Sequence, residues 1–102
     1  MQAVCYEVTL DAEEAIAAAL QDYMVTKHVP EIFATGCFES IRFQQQGATR
    51  FRTQYWAIGQ TQLDEYLAQH SAATRADFMA HFPRGVAVQR AVWELRAEWR
   101  AA

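Results

Sequence analysis

The chain has 102 residues, with 9 Lys or Arg against 12 Asp or Glu, and its formal net charge is −3. This length predicts one domain over residues 1–102. An apolar share of 52% and an aromatic share of 13% favour a packed core over disorder. No apolar run approaches the ~20 residues of a membrane-spanning helix. The first residues also lack the basic start of a secretory signal, so no membrane partner is expected.

The two cysteines, Cys5 and Cys37, lie far apart and fit no Cys-x-x-Cys pattern. Two such residues do not make the disulfide framework of a small secreted protein. Reduced thiols and a cytoplasmic location are therefore the expectation.

The first predicted strand covers residues 3–10, in which apolar and other residues alternate. Asp11 and Glu14 resemble a capping box, and a helix is predicted over about residues 12–27. Pro30 predicts the end of that helix and Gly36 a turn. The apolar face of the strand consists of Val4, Tyr6, Val8 and Leu10, and the other face of Cys5, Glu7 and Thr9.

A hairpin follows, with strands predicted at 37–45 and 50–58 around Gln46-Gly47-Ala48. A second helix is predicted from an N-cap at Thr61 through Phe82, bent near Ser71. Residues 86–94 fit either a strand or a helix, and their valines favour a strand. Residues 94–102 are left open between strand, helix and disordered tail.

The predicted order is β-α-β-β-α-β, which is typical of the α+β ferredoxin-like fold. In that fold a four-stranded antiparallel sheet carries both helices on one face. Large apolar residues also occupy the alternate strand positions, namely Phe38, Trp56, Ile58 and Trp93. Because the helices cover one face only, we expect a second copy to cover the other and form a homodimer. The alternative is that these residues are scattered on the surface.

Six segments of the chain carry a resemblance to a known family: Val4–Thr9, Lys27–Glu31, Ala34–Phe38, Gln54-Tyr55, Tyr66-Leu67 and His81–Pro83. They resemble the bacterial domain-of-unknown-function family numbered 4286. The resemblance implies a dimeric α/β barrel and brings no established activity. Proteins of that wider fold include cofactor-independent monooxygenases, haem-degrading enzymes, isomerases and structural modules, among which fold alone does not choose.

His28, at the end of the first predicted helix, is the best candidate for proton transfer, and a capping role is the alternative. His70 and His81 are interpreted as packing or surface residues. The histidines are not spaced as zinc ligands, so no metal is expected, and no cofactor either. Candidate ligand-binding residues are His28, Phe38, Gln54, Tyr55 and Trp56.

Glu7 and Arg90 are predicted to form a structural ion pair across neighbouring strands, because a buried carboxylate needs a partner. Tyr6, Phe51 and Tyr55 also match the base-stacking positions of RNA-recognition domains. The segment Arg50–Tyr55 lacks the glycines of that signature and the net charge is negative, so nucleic acid is not an expected partner.

The sequence thus predicts a homodimer that binds a small apolar or aromatic molecule. Two alternatives remain open: a cofactor-independent monooxygenase or isomerase with His28 as proton acceptor, and a non-catalytic interaction module. A cavity of a few hundred Å³ beside His28, Gln54 and Trp56 would favour binding, and a filled interior the interaction module.

Overall fold

The computed structural model describes residues 2–102, which form four strands, four α-helices and one π-helical segment. All strand pairings are antiparallel, and the strand order is β2-β3-β1-β4. The predicted ferredoxin-like order is confirmed, including the strand at 86–94. The elements are β1 (Val4–Ala12), α1 (Glu14–Tyr23), the π-helical segment (Met24–His28), α2 (Val29–Phe33), β2 (Ser40–Gln46), β3 (Arg50–Ala57), α3 (Gln60–Gln69), α4 (Ser71–His81) and β4 (Val86–Glu94).

The prediction that Pro30 ends the first helix is wrong. Val29 keeps helical angles (φ −65°, ψ −46°), and helical backbone continues through Phe33. Pro30 is tolerated because it lies in the first turn of α2, where a missing N–H leaves no helical bond unmade. The predicted turn at Gly36 is confirmed, since its φ of 77° is left-handed.

Three other boundaries differ from the prediction. Asp11 belongs to β1 and lies 3.5 Å from Arg50, so it does not cap α1. The second strand begins at Ser40, three residues later than predicted, because Cys37 precedes it in a buried loop. Gly59, rather than Thr61, holds the cap position of α3. The predicted bend in the second helical region is present as a break at His70 (φ −122°).

The helices cover one face of the sheet, and the core beneath them divides into two clusters. Val8, in the middle of β1, packs against both. The division leaves space over the centre of the sheet, between the clusters. The first cluster contains Val4, Tyr6, Ile32, Cys37, Phe38, Tyr55, Ala57, Leu63 and Tyr66, and the second contains Leu10, Ala17, Leu20, Tyr23, Met24, Phe51 and Phe78.

The other face of the sheet, here called the open face, has no helix over it within residues 2–102. Cys5 is nevertheless 2% exposed, because Trp56 and Trp93 flank it in register on the neighbouring strands. Trp93 itself is 58% exposed. Burial raises the pKa of the Cys5 thiol to about 11, so the thiol is protonated at neutral pH.

Candidate functional site

A cavity of about 70 Å³ lies between the two core clusters, bounded by β1 and β4 below and by α4 above. Its walls are mostly apolar, and they include polar groups from both the sheet and the helices. Two arginines, Arg75 and Arg90, are among the polar groups of the lining. A ligand that contacts them can remain partly exposed to solvent. The residues that line it are Tyr6, Val8, Leu10, Met24, His28, Ile32, Tyr55, Tyr66, Thr74, Arg75, Phe78, Met79, Val88 and Arg90.

Hydrogen bonds fix the polar side chains of the cavity wall. Tyr66 Oη and Thr74 Oγ1 are 2.7 Å apart, which links α3 to α4. Arg75 donates from Nη2 to the hydroxyl of Tyr6 at 3.1 Å, which links α4 to β1. Burial is the main reason that the pKa of Tyr55 and that of Tyr66 are both raised, so both phenols stay protonated.

His28 lies at the end of the π-helical segment, where the backbone is wider than in an α-helix. Such segments are frequent at functional sites. Burial lowers the pKa of His28 to about 4, although the nearby carboxylates Asp77 and Glu31 act in the opposite direction. The imidazole is therefore neutral at pH 7.

Asp77 of α4 organises the groups behind His28. It accepts hydrogen bonds from Tyr23 Oη at 2.6 Å and from Lys27 Nζ at 2.8 Å. The Lys27 hydrogen bond contributes most to lowering the pKa of Asp77, followed by that of Tyr23. Burial and Asp77 together raise the pKa of Tyr23. Asp77 is thus a carboxylate and Tyr23 a neutral donor.

This arrangement selects one tautomer of His28. Nδ1 of His28 lies 3.4 Å from Tyr23 Oη, whose single proton is already donated to Asp77. A hydrogen bond between the two therefore requires His28 Nδ1 to be the donor. In the neutral ring Nε2 then carries the lone pair, and it has no hydrogen-bond partner among residues 2–102. Nε2 is available as an acceptor for a bound molecule.

A second, more polar opening of about 160 Å³ lies on the other side of His28 and Thr74. Its remaining lining includes Lys27, Glu31 and Asp77. His28 therefore separates an apolar cavity from a charged, solvent-facing opening. In this position the imidazole of His28 can accept a hydrogen bond from a ligand at one nitrogen while the protein holds the other nitrogen.

The structure brings together only part of the predicted ligand-binding set. His28 and Tyr55 line the cavity, and Phe38 is buried behind Tyr55, with ring centroids 5.4 Å apart. Gln54 and Trp56 face the open side, because successive residues of β3 point to opposite faces. They cannot share a cavity with His28.

The predicted Glu7–Arg90 ion pair is absent. Glu7 is opposite Ala91, and Arg90 is opposite Val8, so the two side chains point to opposite faces of the sheet. Glu7 instead approaches Arg52, at 4.0 Å on the open face. Arg90 instead lines the cavity on the helix-covered face.

Sequence reasoning missed the contribution of α4, namely Thr74, Arg75 and Asp77. Their position depends on the break at His70, which changes the direction of the helix. The sequence did contain a signal for the position of Arg90, because Val86 and Val88 precede it at intervals of two residues. A residue that continues such an alternation lies on the same face of the strand as the apolar residues before it.

Residues 2–102 contain neither a candidate metal site nor a candidate membrane-spanning helix. No group of three or more His, Cys, Asp or Glu side chains is placed to hold a metal ion. None of the helices in this part of the chain is long and apolar enough to span a bilayer.

The strand order and the helix-covered cavity define a protein of the ferredoxin-like class. The chain belongs to the family described as Domain of unknown function (DUF4286), whose model matches residues 3–95. The comparison with curated proteins gives no match.

Solved structures share this fold at low sequence identity. A protein of unknown function from Nitrosomonas europaea is 18% identical, with a TM-score of 0.69 over 100% of this chain and 98% of that one. A dimeric ferredoxin-like protein from an uncultured marine organism is 11% identical, with a TM-score of 0.66 over 97% and 100%. A proposed antibiotic biosynthesis monooxygenase from Deinococcus radiodurans is 16% identical, with a TM-score of 0.59 over 97% and 96%. These likenesses establish the fold.

The burial of neutral His28 predicts a pH-dependent loss of stability. The unfolded chain, with a His pKa of 6.5, binds a proton that the folded chain binds only near pH 4. His28 therefore makes its full contribution to the free energy of unfolding above pH 6.5. This contribution declines as the pH falls towards 4. The loss is at most about 3 kcal/mol. Asp77 stays ionised through this window because its pKa is lowered.

Urea unfolding near pH 7 and near pH 4.5 measures this loss in the wild type, His28→Gln and His70→Gln. His28→Gln should show a smaller difference between the two pH values, and His70→Gln should keep the wild-type difference. An unchanged difference in His28→Gln would show that His28 is not the group responsible.

Proposed function

We propose that the protein binds a small apolar or aromatic molecule in the cavity between the sheet and α4. The observation that carries the proposal is an unfilled apolar space onto which a few fixed polar groups converge. Hydrogen bonds with residues of α4 hold Tyr6 and Tyr66 in place, so the walls are organised before a ligand arrives. Nε2 of His28 offers an acceptor for a hydroxyl or N–H of the ligand.

The size of the cavity limits the ligand. An apolar cavity of about 150 Å³ in a protein interior can hold benzene, and this one encloses about 70 Å³. It is smaller than the few hundred Å³ that the sequence argument required, so only part of a ring or a short branched chain fits inside. The rest of the ligand extends through the mouth between α4 and β4. A two- or three-ring compound is not a good candidate.

Two other functions are less well supported. The monooxygenase-like description of the Deinococcus radiodurans structure favours a cofactor-independent monooxygenase or isomerase with His28 as base. A base whose pKa is near 4 takes up a proton weakly at pH 7, which favours binding over proton abstraction. A non-catalytic module would have no need of an unfilled cavity, since cores normally pack to high density.

We also propose that the protein forms a homodimer through the open face. Cys5, Trp56 and Trp93 make an apolar patch at one end of that face, and the dimeric neighbour has the same fold. Burying exposed indole rings against a second copy removes apolar area from water. The free, buried cysteines Cys5 and Cys37 are consistent with the reducing environment of the cytoplasm, where we place the protein.

Filling the cavity tests the binding proposal. The probe is 4-methylphenol, a single ring with one hydroxyl that can donate to His28. A threefold excess over the dissociation constant should raise the Tm of the wild type by roughly 4 °C in differential scanning fluorimetry. Val88→Phe places a ring in the cavity and should remove the shift.

Val25→Phe is the matched control, because Val25 lies on the outer surface of the π-helical segment and is 54% exposed. It should keep the wild-type shift. Circular dichroism verifies that both variants are folded. Equal shifts in folded Val88→Phe and the wild type would place the probe elsewhere.

The dimer is tested by sedimentation equilibrium at micromolar concentration. The wild type should have twice the mass of the chain, and Trp56→Glu should be monomeric because two carboxylates would be buried at the interface. Trp93→Glu provides an independent variant at a more exposed position. Leu67→Glu on α3 is the control and should remain dimeric. A monomeric wild type would contradict the proposal.

A further inference from the structure

The cavity mouth carries two positive charges without a carboxylate partner. Arg75 on α4 and Arg90 on β4 both line the cavity, from opposite walls. Among residues 2–102 neither guanidinium forms an ion pair within 4.0 Å. The lining contains no Asp or Glu, and its one histidine is neutral.

Arg75 is also directed towards an aromatic hydroxyl of the cavity. Arg75 donates to Tyr6 Oη at 3.1 Å, which uses one of its five N–H groups. Burial raises the pKa of Tyr55 and of Tyr66, and the positive charge of Arg90 acts in the opposite direction on both phenols. Arg90 lines the same cavity as these two phenols.

Two other arginines of the sheet have partners, and a third, Arg42 of β2, has none among residues 2–102. Arg50 lies 3.5 Å from Asp11, and Arg52 lies 4.0 Å from Glu7 and donates to Gln44. Arg50 and Arg52 are thus matched by anions or an amide of the same chain. Arg75 and Arg90 have no carboxylate partner and, unlike Arg42, both line the same apolar cavity.

We infer that the ligand of this cavity is a small carboxylic acid, whose apolar body enters the cavity and whose carboxylate lies at the mouth between Arg75 and Arg90. The inference rests on the proposed function and adds the chemical class of the ligand. A planar carboxylate matches the paired N–H groups of a guanidinium, and charge-assisted hydrogen bonds are the strongest of their kind. The size limit of the cavity is met because only part of the apolar body enters it, and the rest of the ligand with its charged end extends through the mouth.

The test compares two probes of the same shape, phenylacetate and the neutral phenylacetamide, by isothermal titration calorimetry. Phenylacetate should bind the wild type about five- to tenfold more tightly, a range set by the partial exposure of both arginines. Arg75→Gln and Arg90→Gln should each reduce this preference, and the double variant should abolish it. Because Arg75 also holds Tyr6 in the cavity wall, the quantity compared in each variant is the ratio of the two affinities and not the affinity for phenylacetamide alone.

Arg84→Gln is the matched control, because Arg84 is exposed in the turn before β4 and does not line the cavity. It should keep the wild-type preference for phenylacetate. Equal affinity for the two probes in the wild type would overturn the inference and leave the proposed function standing. If neither probe nor 4-methylphenol binds, both fail. A preference that survives in the double variant would also overturn the inference.

Discussion

The alternation of side chains along the central strand β1 is the constraint on which the rest of the structure depends. It sends Val4, Tyr6, Val8 and Leu10 towards the helices. The two ends of this row enter separate core clusters, and only Val8 contacts both. The helices therefore do not close fully over the middle of the strand, and the cavity lies there. A one-residue shift of register would move the whole row to the open face.

The same constraint divides the polar residues between two environments. On the open face the charges of β1 and β3 meet one another, as between Glu7 and Arg52. On the helix-covered face, Arg90 continues the row of Val86 and Val88 and reaches the cavity without an anion. The charges that β1 and β3 place on the open face are thus paired within the chain, whereas the two arginines at the cavity have no carboxylate partner. These two arginines, which line one apolar cavity, support a ligand on the helix-covered face.

The order of the elements could be predicted from the sequence because period-two and helical spacings are local properties. Pro30 misled the prediction, since its effect depends on whether it falls inside a helix or in a first turn. The candidate site was harder to predict. His28 and Tyr55 could be selected one at a time as polar or aromatic residues on predicted elements. Grouping them required knowledge of which strand face each residue occupies.

The failures of the site prediction have a common physical cause. The pair of Glu7 and Arg90 follows from neighbouring strands, although neighbouring strands present two faces each. The grouping of His28 with Trp56 in one cavity likewise ignores which face of the sheet each residue occupies. The alternation of β3 already separates Tyr55 from Trp56. The role of Arg75 could not have been found in this way, because it depends on the break at His70 and on the direction of α4.

The central claim is that a ligand occupies the helix-covered face at the middle of β1. Nuclear Overhauser effects from phenylacetate ring protons to the methyl groups and indole rings of the protein locate the ligand directly. The account predicts contacts with the methyl groups of Val8 and Val88. Contacts with the indole rings of Trp56 and Trp93 instead, with none to Val8, would place the ligand on the open face and contradict the account.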